Sequence, residues 1–147
     1  MKYSGIKEQL EALTDGVPYP VANMANAAAL IWASVDGLNW AGFYTVEDGR
    51  LVLGPFQGNT ACIVIPMGRG VCGTAAAEGR TVVVGNVHEF PGHIACDSAS
   101  NSEIVVPIRR NGAVAAVLDI DSPLFGRFGE EEKELFESLA EVMEKAI

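Results

Sequence analysis

The chain has 147 residues, 49% hydrophobic and 20% charged, with a formal net charge of -9. That balance describes one folded domain with a substantial core and excludes a disordered chain. So acidic a surface repels phosphate backbones and anionic lipid, which leaves no expected role for nucleic acid or membrane.

In chain order, a first helix is predicted over about 4–15, with Ile6, Leu10 and Leu13 spaced for one face. Gly16, Pro18 and Pro20 interrupt it, and a second, alanine-rich helix is predicted over 21–34. The period then shortens to that of strands at 40–46 and 51–53, joined across Asp48-Gly49, and a third strand at 63–65 stops at Pro66. A short helix at 70–77 and a strand at 81–84 precede a loop-like stretch over 85–100. Strands at 103–108 and 113–120 flank Asn111-Gly112, a second hairpin signal. A last helix from about 130 turns Leu135, Leu139, Val142, Met143 and Ala146 inward and shows its run of glutamates to solvent.

This order gives an α+β domain, a central antiparallel sheet with helices packed on one face. The expected spans are N-terminal helices at about 4–34, a core at about 38–123 and a C-terminal helix at about 129–147, all in one domain. No apolar run approaches the ~20 residues of a membrane span. Lys2 is followed by no apolar signal region, so the expected compartment is the cytoplasm. The two N-terminal helices offer a face for a homodimer.

Three cysteines are present, Cys62, Cys72 and Cys96. An odd count without a secretory signal does not suit a structural disulfide framework, which leaves core, metal or redox roles. Cys96 lies in the long loop with both histidines, where a thiolate can find hydrogen-bond donors, and it is the candidate nucleophile. A metal site on His88, His93 and Cys96 is the rival reading. Their spacing matches no familiar zinc pattern, so no metal or other cofactor is expected. Cys72, among Val71, Gly73 and Thr74, fits a core position equally well. Asp119 and Asp121 share one strand face: either the wet side of an edge strand or a pair turned into a pocket. Trp40, Phe43 and Tyr44 suit either a pocket wall or the core.

The segment Gly92-His93-Ile94-Ala95-Cys96-Asp97 through Ser100-Asn101-Ser102-Glu103 resembles the free methionine-R-sulfoxide reductases, a GAF-domain family. So do Gly54-Pro55-Phe56-Gln57-Gly58, Gly70-Val71-Cys72-Gly73-Thr74-Ala75 and Leu118-Asp119-Ile120-Asp121-Ser122-Pro123. Asn86 departs from the acidic residue common before the Val-His pair. The resemblance implies a single GAF domain that reduces free methionine-R-sulfoxide through attack by Cys96, with thioredoxin as reductant. It implies Cys62 and Cys72 as resolving thiols, with a lean to Cys62 because packing already accounts for Cys72. It implies Glu103, Asp119 and Asp121 as substrate-binding carboxylates, one of them the proton donor, with Trp40 and Tyr44 as walls. The alternative is a non-catalytic GAF ligand sensor, which would regulate an output domain that the sequence does not show.

Overall fold

The computed structural model describes residues 2–147. Its elements run α1 (Ile6–Thr14), α2 (Pro20–Ser34), β1 (Trp40–Glu47), β2 (Arg50–Gly58), β3 (Val64–Pro66), α3 (Gly70–Glu78), β4 (Val82–Val84), β5 (Ser102–Arg110), β6 (Ala113–Ser122) and α4 (Glu130–Met143). Asp48 and Asn111 take positive φ, 52° and 55°, ahead of Gly49 and Gly112, and close the two hairpins that these pairs predict.

The strands form one antiparallel sheet in the order β3-β2-β1-β6-β5-β4. β1 and β6 are therefore its middle strands. Side chains alternate across them. Ala41, Phe43, Leu118 and Ile120 face one way, with Ile104, Val106 and Ile108 of β5, and pack against α1, α2 and α4. Trp40, Tyr44, Val117 and Val105 face the other way, where Val71, Cys72, Ala75 and Ala76 of the short α3 cover them. Helices α1, α2 and α4 thus share one face, while α3 and the loops around it close the second. Among the described residues no helix is long and apolar enough to cross a membrane.

Three local features depart from the simple periodic reading. The apolar face of α1 ends on Thr14, whose hydroxyl donates to the Leu10 carbonyl at 2.9 Å, while Leu13 is 44% exposed. β2 runs on past 53 because Gly54 and Pro55 sit in a bulge opposite Phe43, where a missing proline N–H costs the ladder nothing. Gly42 beside it has no room for a side chain: a Cβ would lie 2.3 Å from that of Phe56. Glu132, finally, leaves the solvated glutamate face. It is 7% exposed and accepts hydrogen bonds from the Gly129 N–H and the Tyr3 hydroxyl, both at 2.8 Å, which caps α4. Burial opposes its charge, but those two donors prevail and hold its carboxyl below the usual range.

Candidate active site

Strand register assembles the floor of the site. Trp40 on β1 pairs with Asp121 on β6, which pairs with Glu103 on β5; one step along, Gly42 pairs with Asp119 and Asp119 with Val105. The three carboxylates therefore share the face that α3 covers. They are 7% (Glu103), 6% (Asp119) and 7% (Asp121) exposed. The wet-edge reading of the two aspartates fails because β6 is an interior strand. From α3, the Cys72 thiol reaches over the same floor and donates to Glu103 Oε2 at 3.9 Å.

No cation pairs with this acidic cluster among the described residues, although Arg69 and His93 line the same pocket. Among the described residues the ion pairs are Arg80–Glu78 and Arg127–Glu132, both away from it, and Asp119 Oδ1 is buried with no hydrogen-bond partner. Burial is the main cause that pushes the Glu103 and Asp121 carboxyls well above the ordinary range, and the Asp119 charge adds to it. Burial also raises Asp119, against hydrogen bonds from Glu103, Cys72 and Asp121. The Cys72 thiol is pushed up by burial first and then by Asp119 and Glu103.

A stability prediction follows from these directions. Below an unfolded carboxyl value of about 4, native and unfolded chains hold the same protons. Above it, the native state retains protons that the unfolded chain has released, so stability falls as pH rises through the raised native values. Each such carboxyl contributes up to about 1.4 kcal/mol per pH unit over that window. Thermal melts of the ligand-free protein should therefore be higher at pH 5 than at pH 8. Glu103→Gln and Asp121→Asn should each flatten that dependence and raise the melting temperature at pH 8. Unchanged pH profiles in both variants would contradict the assignment.

Two loops form the rim. Cys62, between β2 and β3, is joined by a disulfide to Cys96, between β4 and β5, with their Cα atoms 5.2 Å apart; Cys72 is free. The Trp40 indole N–H donates to the Asn59 carbonyl at 3.0 Å, and the Tyr44 hydroxyl donates to the Cys62 carbonyl at 2.9 Å. Both aromatic residues thus fix the Cys62 loop as well as walling the pocket, and Trp40 stacks on Phe56 at 5.1 Å between ring centroids. Asn39 performs the corresponding task for the Cys96 loop. Its amide donates to Asp97 Oδ2 at 2.9 Å and to Ser100 Oγ at 3.0 Å. Floor and rim surround a pocket lined by Trp40, Tyr44, Arg69, Cys72, His93, Cys96, Glu103, Asp119 and Asp121. Phe43 lies on the opposite face, in the helical core.

The site is built like a redox pocket for a small cationic molecule: a cysteine pair at its mouth, carboxylates below, and aromatic rings between. A GAF domain profile matches residues 25–147. The Escherichia coli free methionine-R-sulfoxide reductase is 48% identical over 145 residues, which cover 99% of this chain and 88% of that protein. The chain belongs to the free methionine-R-sulfoxide reductase family of GAF domains. Solved structures of the family agree with its fold. The reduced form of fRMsr of Staphylococcus aureus matches with a TM-score of 0.95 at 47% identity, covering 98% of this chain and 94% of that one. Free methionine-R-sulfoxide reductase of Neisseria meningitidis, in complex with its substrate, matches at 0.94 and 46% identity, covering 98% and 87%.

In this member of the family, the histidines and Cys96 of the rival metal reading do not converge. His88 Nε2 lies 2.8 Å from Asn101 Oδ1, the two imidazole centroids are 6.4 Å apart, and the Cys96 sulfur is in the disulfide. His93 lines the cavity, where burial and then His88 lower its proton affinity. Among the described residues, the group of three ligating side chains with donor atoms within 4.8 Å of one another is Cys72, Glu103 and Asp119. Sequence reasoning missed Asn39 and Ser100. The only signal for Asn39 was its place immediately before Trp40.

Proposed function

We propose that this protein reduces free L-methionine-(R)-S-oxide to L-methionine, with Cys96 as nucleophile and Cys62 as resolving thiol. The observation that carries the reading is the Cys62–Cys96 disulfide beside a pocket floored by three buried carboxylates that no cation pairs with among the described residues. In the reduced enzyme, the Cys96 thiolate attacks the sulfoxide sulfur. The sulfoxide oxygen takes a proton and passes to Cys96, leaving methionine and a sulfenic acid. The Cys62 thiol then attacks the sulfenic sulfur, a disulfide forms and water leaves. A reduced dithiol protein of the thioredoxin type restores both thiols by exchange and is itself oxidised. The cytoplasm, where disulfides are kept reduced, suits such a cycle.

Raised carboxyls explain the acid. A group that holds its proton near neutral pH can give it to the sulfoxide oxygen, and three clustered carboxylates supply one protonated member. The remaining charge receives the substrate's ammonium group, which only a free amino acid brings. A peptide-bound methionine offers a neutral amide instead and would leave Asp119 buried and unpaired. Trp40 and Tyr44 form the apolar wall for the methyl side. Cys72, held against Glu103, belongs to the floor. We assign residues 4–34 to the same domain as the rest, because Ile6, Leu10 and Met24 share one core with α4, and the exposed Val21 and Trp32 of α2 to a homodimer face.

Thioredoxin-coupled turnover of the two epimers of free methionine sulfoxide, alongside the N-acetylated R epimer, tests the reading. Reduction of the free R epimer alone is expected; equal rates on all three would overturn it. Asn39→Ala should lower kcat about tenfold with KM little changed, since two hydrogen bonds that place the Cys96 loop are worth about 1–2 kcal/mol together and touch no substrate. A change confined to KM would contradict that role.

A further inference from the structure

We propose that the pocket floor also binds a thiophilic divalent cation of the zinc class, through Cys72 Sγ and carboxylate oxygens of Glu103 and Asp119. Such a cation would displace the substrate's ammonium group, a second part that rests on the function proposed above. Three features of the cluster support the site.

The first is geometry. The ligating atoms of the three side chains lie within 4.8 Å of one another, and Cys72 Sγ stands 3.9 Å from Glu103 Oε2. Thiolate and carboxylate ligands on one tetrahedral zinc are about 3.6 Å apart, given Zn–S near 2.3 Å and Zn–O near 2.1 Å. Small side-chain rotations close that difference. The second is an unmet acceptor: Asp119 is 6% exposed, lines the cavity, and its Oδ1 has no hydrogen-bond partner. The third is charge. Three carboxylates crowd one cavity, and neither Arg69 nor His93, which also line it, pairs with them. A buried anionic cluster of that kind is stabilised by whatever cation enters it.

The donor set selects the cation. A sulfur ligand favours zinc, cobalt or cadmium over magnesium and calcium, which take six or more oxygens. Three protein ligands leave a fourth position for water. Binding converts the Cys72 thiol to a bound thiolate and the Glu103 carboxyl to a bound carboxylate, and both protons pass to solvent, so no oxidant or reductant is needed. Neither Cys62 nor Cys96 takes part, so the site exists with the disulfide formed.

Cobalt(II) chloride is the probe, titrated into the full chain after chelator treatment and with the Cys62–Cys96 disulfide formed. Cys72 is then the only thiol. A near-ultraviolet thiolate-to-cobalt band should saturate at one cobalt per chain and be bleached by zinc chloride. Cys72→Ser should lose the band, and Asp119→Asn, which keeps the thiol, should weaken cobalt binding at least tenfold. Circular dichroism confirms that both variants are folded. Free methionine should raise the cobalt concentration at half-saturation. No band at millimolar cobalt, or a band that survives Cys72→Ser, would overturn the site; half-saturation indifferent to methionine would overturn the displacement. The band needs no turnover, so a protein that binds cobalt yet reduces no sulfoxide would refute the enzymatic reading and not the cation site.

Discussion

Cys96→Ser should abolish sulfoxide reduction, with kcat/KM falling at least about a thousandfold, because the serine hydroxyl is a far poorer nucleophile than a thiolate toward sulfoxide sulfur. Cys62→Ser should behave differently. It keeps the nucleophile and should release one methionine per chain in a single turnover, then stall with Cys96 as sulfenic acid for want of a resolving thiol. Quenched-flow measurement of methionine released, with and without thioredoxin, distinguishes the two. Full activity in the Cys96 variant would remove the residue from the mechanism. Normal multiple turnover in the Cys62 variant would transfer the resolving role to Cys72.

Asp119→Asn should produce the second large effect. Asp119 is buried in the floor with an unpartnered oxygen, the acceptor proposed for the ammonium group. Removing one side of a buried charge pair costs about 2–5 kcal/mol, or tens to thousands of fold in kcat/KM. The loss should be carried mainly by KM if Asp119 binds the ammonium and mainly by kcat if it donates the proton. The same substitution relieves a buried charge in the ligand-free protein, so it should not destabilise the fold at neutral pH. Opposite changes in activity and stability mark a residue kept for chemistry at the expense of folding. Equal activity of Asp119→Asn and wild type would contradict the role of the cluster.

The sequence and the structure divide the explanation unevenly. Elements with strong local signals were legible: the Asp48-Gly49 and Asn111-Gly112 turns, the alanine-rich α2, and the apolar face of α4 through Leu135, Leu139 and Met143. Trp40, Phe43 and Tyr44 read alike in the sequence, and only the structure sets Phe43 on the helical face. Burial of Asp119 and Asp121 was not legible, because Leu118-Asp119-Ile120-Asp121 reads the same on an edge strand as on an interior one. Only the non-local pairing of β6 with both β1 and β5 decides it. Glu132 escaped for a similar reason: its partners, Tyr3 and Gly129, are set by how α4 meets the chain's start. Asn39 holds a loop 58 residues away through Asp97, and no local spacing reports such a contact.

The choice between Cys62 and Cys72 shows how far local pattern reaches. Cys72 is the nearer to Cys96 along the chain, and a sulfenic acid would accept either thiol. The fold separates them by height in the pocket. Cys62 stands at the rim on a loop held by Trp40 and Tyr44, joined to Cys96, while Cys72, on α3, is buried against Glu103 of the floor. A rim disulfide is open to a protein reductant; a floor thiol is not.

One experiment bears most directly on this account. Fully reduced protein is mixed with one equivalent of free methionine-R-sulfoxide, without any reductant, then quenched, and its cysteines are mapped by mass spectrometry. The account predicts one methionine per chain and a single cross-link between Cys62 and Cys96, with Cys72 recovered as a free thiol. No methionine released, or a cross-link through Cys72, would contradict it.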